Sequence, residues 1–214
     1  MKTIQSRAEG VIVVKKSRFI ATLCPVKERS EAEAFVAEMK KKYWDARHNC
    51  SAYIVPSESG EPYVHSSDDG EPSGTAGKPM LAVLTGAGVC GVAAVVTRYF
   101  GGVLLGTGGL VRAYQDAVSE ALREAAFLEE IRVRELFAET DYTLWGKLQS
   151  FLAKESEILS GDPIYGEKVS VCLKIPLPLY EGYLKKLQDL TNGKAVLVPG
   201  DEKTVERVLP GETE

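Results

Sequence analysis

The sequence predicts an α+β protein of two domains, and three observations carry that prediction. The chain has 214 residues, 44% hydrophobic and 26% charged, which is enough for two separate cores of ordinary globular composition. From residue 135 onward, strand-like and helix-like segments follow the order β-α-β-β-α-β, the split βαβ or ferredoxin-like unit. The charge changes at the same place: residues 1–134 hold 17 Lys and Arg against 16 acids, a balance of +1, whereas residues 135–214 hold 9 against 14, a balance of −5. The boundary is expected near Arg134, giving domains of residues 1–134 and 135–214.

The first domain opens on GVIVVKK (10–16) and RFIATLCPV (18–26), branched and aromatic segments that read as two antiparallel strands. Ser30 with Glu33 three residues later has the form of a capping box, and Ala34, Phe35, Ala37 and Met39 give the following helix a partial apolar face. Lys40, Lys41 and Lys42 stand at the end of that helix, where its dipole favours cations. CSAYIV (50–55) is a short strand. Periodicity then vanishes from Pro56 to Pro79, a segment with four Pro, four Gly, five Ser and five acids, so a long functional or disordered loop is expected. MLAVLTGAG (80–88) reads as a short helix ending at Gly86 or Gly88, and GVAAVVTRYF (91–100), apolar on both faces, as a central strand. Leu110, Tyr114, Ala117, Val118, Ala121, Leu122 and Ala125 recur at helical spacing, predicting an amphipathic helix over 109–127.

In the second domain, LFAETDYT (136–143) is read as a strand and LWGKLQSFLAKE (144–155) as a helix. Residues 158–167 and 168–177 are strands joined near Gly166. Residues 179–193 form a helix stopped by Gly193, KAVLVPG (194–200) is the last strand, and residues 201–214 are expected to fray.

Function is concentrated in the glycines. Nine of the twenty fall in residues 56–79 and 101–109, flanking one apolar strand: SSDDGEPSGTAGKP (66–79) and RYFGGVLLGTGGLVRAY (98–114). Such clustering marks a place where backbone must bend sharply or approach a ligand. Gly77 and Lys78 resemble the end of a phosphate loop, but Pro72 replaces its first glycine and Pro79 its magnesium ligand. The dinucleotide fingerprint fails because Val111 stands where Gly106 and Gly108 require a third glycine.

What remains is a strand, the glycines Gly101, Gly102, Gly106, Gly108 and Gly109, and a helix N-terminus, the general form of an anion site. Arg98 feeds that turn and Arg112 lies in the first helical turn, suggesting a phosphate or carboxylate pocket; equally, the arginines could pair with the acids of residues 68–71. Asp68, Asp69 and Glu71 could hold a hard cation or act as acid and base, or could form a solvated turn. His48 and His65 show no ligand spacing with Asp68 and Asp69, so no metal and no cofactor are expected, and His48 reads as a hydrogen-bonding residue at a strand edge. Ser73 follows a proline with no strand leading into it, and Thr75 has no evident base, which argues against covalent catalysis. Lys15, Lys16, Arg18 and Lys40–Lys42, with Arg98 beside Tyr99 and Phe100, interleave cations with aromatics as single-strand binders do, although lysines also guard strand edges.

Cys24, Cys50, Cys90 and Cys172 are widely spaced in apolar segments and read as reduced, buried thiols. The N-terminus has no apolar h-region, and no run approaches the roughly 18 apolar residues of a membrane span, so a cytoplasmic protein without membrane contact is expected.

The segments KKSRFIA, HNCSAY, DDGEPSGTAGKPML, VVTRYFGG and LGTGGLVRAY strongly resemble the YigZ/IMPACT family over about the first 130 residues. The resemblance implies a ribosomal protein S5 domain 2-like N-terminal domain, with helices on one side of a mixed sheet, followed in bacterial members by a ferredoxin-like domain. This pair is similar to the last two domains of translation elongation factor G. In the eukaryotic branch it implies a translational regulator that competes, under amino-acid starvation, for a large ribosome-associated activator of a kinase. This chain is expected to depart from that branch, with no recruitment domain before Lys15 and a second domain of the bacterial kind. The expectation is a non-catalytic, translation-linked protein that contacts RNA, the ribosome or a protein partner through its glycine-rich face, without DNA specificity. The alternative is an enzyme or sensor for a small phosphorylated ligand at the Gly101–Gly109 turn. A protein regulator docking its partner on the acidic second domain is a third possibility.

Overall fold

The structure, a computed structural model, describes residues 1–57 and 60–209. It is α+β, and the chain divides into two compact units: residues 1–129 with the segment from Val208, and residues 130–207.

The first unit is built on a five-stranded sheet of β2 (Ala8–Val14), β3 (Ser17–Pro25), β4 (His48–Val55), β5 (Tyr63–Ser67) and β6 (Val92–Tyr99), in the order β2-β3-β6-β4-β5. Every neighbouring pair is antiparallel, so the mixed sheet implied by the family resemblance is replaced by an antiparallel one. Helices also cover both faces instead of one. On one face, Phe35 and Met39 of α1 (Arg29–Lys42) pack with Tyr53, Val55, Ala93 and Val95. On the other, α2 (Gly77–Gly86) and α3 (Thr107–Arg123) bury Met80, Leu84, Tyr114 and Val118 against Phe19, Ala52, Ala94 and Val96. Strand β6 is buried from both sides, as its uninterrupted apolar run predicts.

Several elements depart from the sequence expectation. The capping box does not form: α1 starts at Arg29, so Ser30 lies inside the first turn and bonds the Glu28 carboxylate, while Glu33 pairs with Arg29. The long loop contains β5, an edge strand on β4, and α2 begins three residues earlier than its apolar pattern. A short β1 (Lys2–Ile4) pairs with residues 127–129, the start of β7 (Phe127–Thr140), and α3 ends at Arg123, so that residues 124–126, expected as its last turn, form a turn and connecting segment instead.

The hairpin between β2 and β3 turns on Lys15 and Lys16, both with positive φ (47° and 68°), as a two-residue type I′ turn requires. Strand β6 also ends at this end of the sheet, since Tyr99 pairs with Arg18. Helix α3 then runs back over the sheet, with Tyr114 packed edge-on against Phe19 at 5.2 Å.

The second unit pairs the remainder of β7 with β10 (Val169–Pro176), which also pairs β8 (Leu159–Ser160) and β9 (Ile164–Tyr165); β11 (Val196–Val208) pairs β7. Helices α4 (Tyr142–Leu152) and α5 (Tyr180–Leu190) bury Trp145, Leu148, Tyr183 and Leu187 against Leu136, Ala138, Val171 and Leu173. Asp141 caps α4 by accepting from the Leu144 amide at 2.8 Å. Gly193 (φ 69°) ends the α5 segment, its amide reaching the Gln188 carbonyl at 2.8 Å. The expected frayed tail is strand β11 as far as Val208; the remainder of that expectation, residues 210–214, lies outside the described residues.

Candidate functional site

The two glycine-rich segments meet at the end of the first unit's sheet where β3 begins and β6 ends. Gly101 holds the geometry. A Cβ there would lie 2.0 Å from the Lys16 carbonyl carbon, so only glycine lets the loop press on the β2–β3 turn, and its amide donates to Ser17 Oγ at 3.1 Å. This contact brings the exposed Lys15–Lys16 turn against the glycine loop. Gly102 and Gly106 have positive φ (83° and 75°), Gly106 standing as the residue before α3, while Gly108 and Gly109 fall inside the first turn. The amides of Thr107, Gly108 and Gly109 have no acceptor among the described residues, the ordinary state of a helix N-terminus. Phe100, Val103 and Leu104 are exposed on the loop, Leu104 to 82%.

Beneath this surface the acids of the first glycine segment are all engaged. Asp68 accepts from the amides of Gly74, Ala76 and Gly77 at 2.7, 3.0 and 2.9 Å, and so organises the entry to α2. Burial pushes its carboxyl up, but those three amides and the charge of Lys78 outweigh it and hold it below its ordinary range. Asp69, at φ 44°, pairs with Lys40 at 2.6 Å and accepts from the Asn49 amide at 2.8 Å; burial raises its carboxyl, and these partners bring it below the usual value. His48 Nδ1 lies 2.9 Å from the Asp69 carbonyl oxygen. Glu71 is buried with Arg98, their side chains 3% and 8% exposed and joined at 2.6 Å, and it also accepts from Tyr114 Oη at 2.8 Å. Cys50 donates to the Asp68 carbonyl and lies 3.3 Å from Tyr114 Oη; burial pushes its thiol up to about 12 and raises the Tyr114 hydroxyl as well.

Arg98 therefore does not stand at the surface. Its NH1 is held by Glu71, and the guanidinium lies between the rings of Phe19 and Phe100, at 5.4 and 5.6 Å. A phosphate at the surface would have to displace a buried ion pair to reach NH1. Its Nε has no partner among the described residues. Thr75 is buried with its hydroxyl on the Pro72 carbonyl at 2.7 Å, and Ser73 is exposed. Tyr99 Oη donates to Asp45 at 2.9 Å. Arg18 and Arg112 are exposed and have no ion-pair partner among the described residues.

Sequence reasoning missed Tyr114 as part of this network, because its spacing marks it only as core. A buried tyrosine hydroxyl nevertheless needs a partner, and the one acid between Gly70 and Pro72 supplies it. It also missed the Asn49–Thr97 hydrogen bond, 2.7 Å, on the α1 face of the same strands.

The arrangement has no activated nucleophile: the Cys50 thiol is held protonated by burial, and the Thr75 hydroxyl faces a carbonyl. Among the described residues no three His, Cys, Asp or Glu side chains are placed to hold a metal, and no helix is long and apolar enough to cross a membrane. Grooves of about 640 Å³ beside Asp189 and Gly193, and about 550 Å³ along Lys147 and Ser150 of α4, lie in the second unit.

Comparison with known proteins agrees with this two-part organisation. The Impact N-terminal domain matches residues 15–122, and a domain of unknown function, DUF1949, matches residues 139–194. The IMPACT family member YvyE of Bacillus subtilis (strain 168) is 39% identical over 207 residues, covering 97% of this chain and 94% of that protein. The IMPACT family member YigZ of Escherichia coli (strain K12) is 37% identical over 190 residues, covering 88% and 92%. A crystal structure described as that of a hypothetical protein, 35% identical, covers 92% of this chain and 95% of its own with a TM-score of 0.58. The buried network and the glycine-rich end thus lie within the segment that defines the first of these matches, and the chain belongs to the IMPACT family.

Proposed function

We propose that the protein is a non-catalytic regulator linked to translation, acting by binding an anionic macromolecular surface of the translation apparatus through the glycine-rich end of its first unit. The observation that carries this reading is the division of labour among the charges. Asp68, Asp69, Glu71 and Arg98 are engaged inside the chain, whereas Lys15, Lys16, Arg18 and Arg112 are left exposed around a loop presenting Phe100 and Leu104. Groups suited to chemistry are engaged, and groups suited to contact are free. Family membership supports the translation setting, since the resemblance implies such a role for eukaryotic members. The strand order β11-β7-β10-β8 of the second unit supports reading it as ferredoxin-like. Co-sedimentation with ribosomes at two salt concentrations tests the proposal. Binding should fall steeply with salt and drop on Lys16→Ala or Arg112→Ala; absence of binding at both concentrations overturns it.

A second reading is favoured by the unpaired Arg98 Nε and the free amides at the start of α3: a small phosphorylated ligand bound at that turn. A nucleotide or sugar phosphate binding only the native state must raise the melting temperature, and no shift across a broad panel overturns this reading.

A further inference from the structure

On the α1 side of the same sheet end, the chain leaves α1 at Lys42 and enters β4 at His48 through a short, well-fixed loop. The Tyr43 carbonyl accepts from the Ala46 amide at 3.0 Å and from Asn49 Nδ2 at 3.3 Å, and Asp45 is held by Tyr99 Oη. This loop stands Trp44 in water at 82% exposure. A single exposed apolar side chain is ordinary by itself, but hydrogen bonds on both sides of this loop hold the indole in a defined position and leave its faces open.

The surroundings of Trp44 are cationic. Lys41, Lys42 and Arg47 are exposed, and Arg18 stands beside Tyr99 in the sheet register. None of these four has an ion-pair partner among the described residues, and they face one carboxylate in the loop, Asp45. Lys40 is already paired with Asp69. The dipole of α1 accounts for cations in its last turn, but not for Arg47, Arg18 or the bare indole. The cations also continue from Arg18 into the Lys15–Lys16 turn, so they form a line along the sheet end. A line of cations around one stacking platform fits a phosphodiester chain better than a point anion. Within the Trp44 loop, residues 43–47 add no exposed aliphatic side chain, so a lipid surface would find its apolar contacts only farther along the sheet end, as at Val13 opposite Arg18.

We infer that this end of the first unit binds single-stranded nucleic acid, with the Trp44 indole stacking on one base and Lys41, Lys42, Arg47 and Arg18 on the flanking phosphates. RNA is the form taken from the translation reading above, and in that respect the inference rests on it; the stacking site itself does not.

The full-length chain carries its own probe. Trp44 is exposed and the other tryptophan, Trp145, is buried in the second unit, so a change in emission lost in Trp44→Phe reports on Trp44. Titration with 12-nucleotide oligouridylate and oligoadenylate, as RNA and as DNA, should quench that emission, and RNA binding equal to or tighter than DNA supports the site. Trp44→Ala should weaken binding by about tenfold with unchanged circular dichroism. Replacing Lys41 and Arg47 together by alanine should lower the slope of log affinity against log salt by roughly 1.4, about 0.7 for each phosphate no longer neutralised. Absence of quenching by every oligonucleotide at low salt, or equal affinity of Trp44→Ala, overturns the inference. So does quenching by anionic phospholipid vesicles or polyglutamate in place of oligonucleotides, which would assign the patch to a membrane or an acidic protein. If ribosome binding persists and remains sensitive to Arg112→Ala while Trp44→Ala has no effect, the Trp44 site alone fails.

Discussion

The two units treat charge in opposite ways. The first buries an ion pair, Arg98 with Glu71, under a tyrosine hydroxyl and beside a thiol. Among the described residues the second has no ion pair buried on both sides: Lys168 with Glu139 stands at 55% and 43% exposure, Arg132 with Glu202 at 71% and 48%, and even Arg207, at 19%, pairs with a half-exposed Glu157. A buried pair is weak evidence for stability, since desolvation offsets much of the attraction, but once built it permits few arrangements of the groups around it. Here it fixes Phe100 and the loop that follows, together with Tyr114 near the start of α3. The difference points to the sheet end of the first unit, where the buried pair ties the acid segment to β6 and, through Tyr114, to α3.

The comparison breaks most visibly at Glu71. Glu71→Gln leaves the Arg98 guanidinium buried without a carboxylate and should destabilise the first unit by about 4 kcal/mol, read as faster hydrogen exchange in residues 92–123 with the second unit unchanged. Gly101→Ala comes next. Its methyl would collide with the Lys16 backbone, and relieving the clash should cost about 3 kcal/mol and weaken ribosome binding by moving the lysine turn.

Asp68→Asn should cost about 2 kcal/mol, allowing for the partial exposure of the carboxylate, because three amides lose a charged acceptor. Its sign with pH is set by the lowered carboxyl. The stabilisation is fully present above the ordinary aspartate range near pH 4 and is lost as pH falls through the lower folded value, so urea midpoints measured downward from pH 6 should converge for wild type and Asp68→Asn. The smallest effect belongs to the second unit: Lys168→Ala removes an exposed pair and should leave the urea midpoint within error.

Much of the framework was legible from residue patterns. The apolar run of β6, the helical stripe of α3 and the Gly193 stop of α5 each follow from local periodicity or a single backbone requirement. What escaped depended on distant partners. Strand β5 is short and polar and exists because β4 offers it an edge, and β1 pairs with a strand more than 120 residues away. Asp68 supports α2 from nine residues before Gly77, beyond any local capping pattern. Arg98 could not be placed because β6 is apolar on both faces, so alternation does not show which way its last residues point. Candidate site residues were found as a group, but their division into internal and exposed charges needed the third dimension.

The Lys15–Lys16 turn has a practical consequence. A type I′ turn favours asparagine and glycine, because both central positions need positive φ, and this hairpin uses two lysines instead. The pair Lys15→Asn and Lys16→Gly would relieve backbone strain and delete two cations in one step, yielding a chain that folds more readily while presenting less charge. Folding competence and contact strength can therefore be moved in opposite directions at a single hairpin.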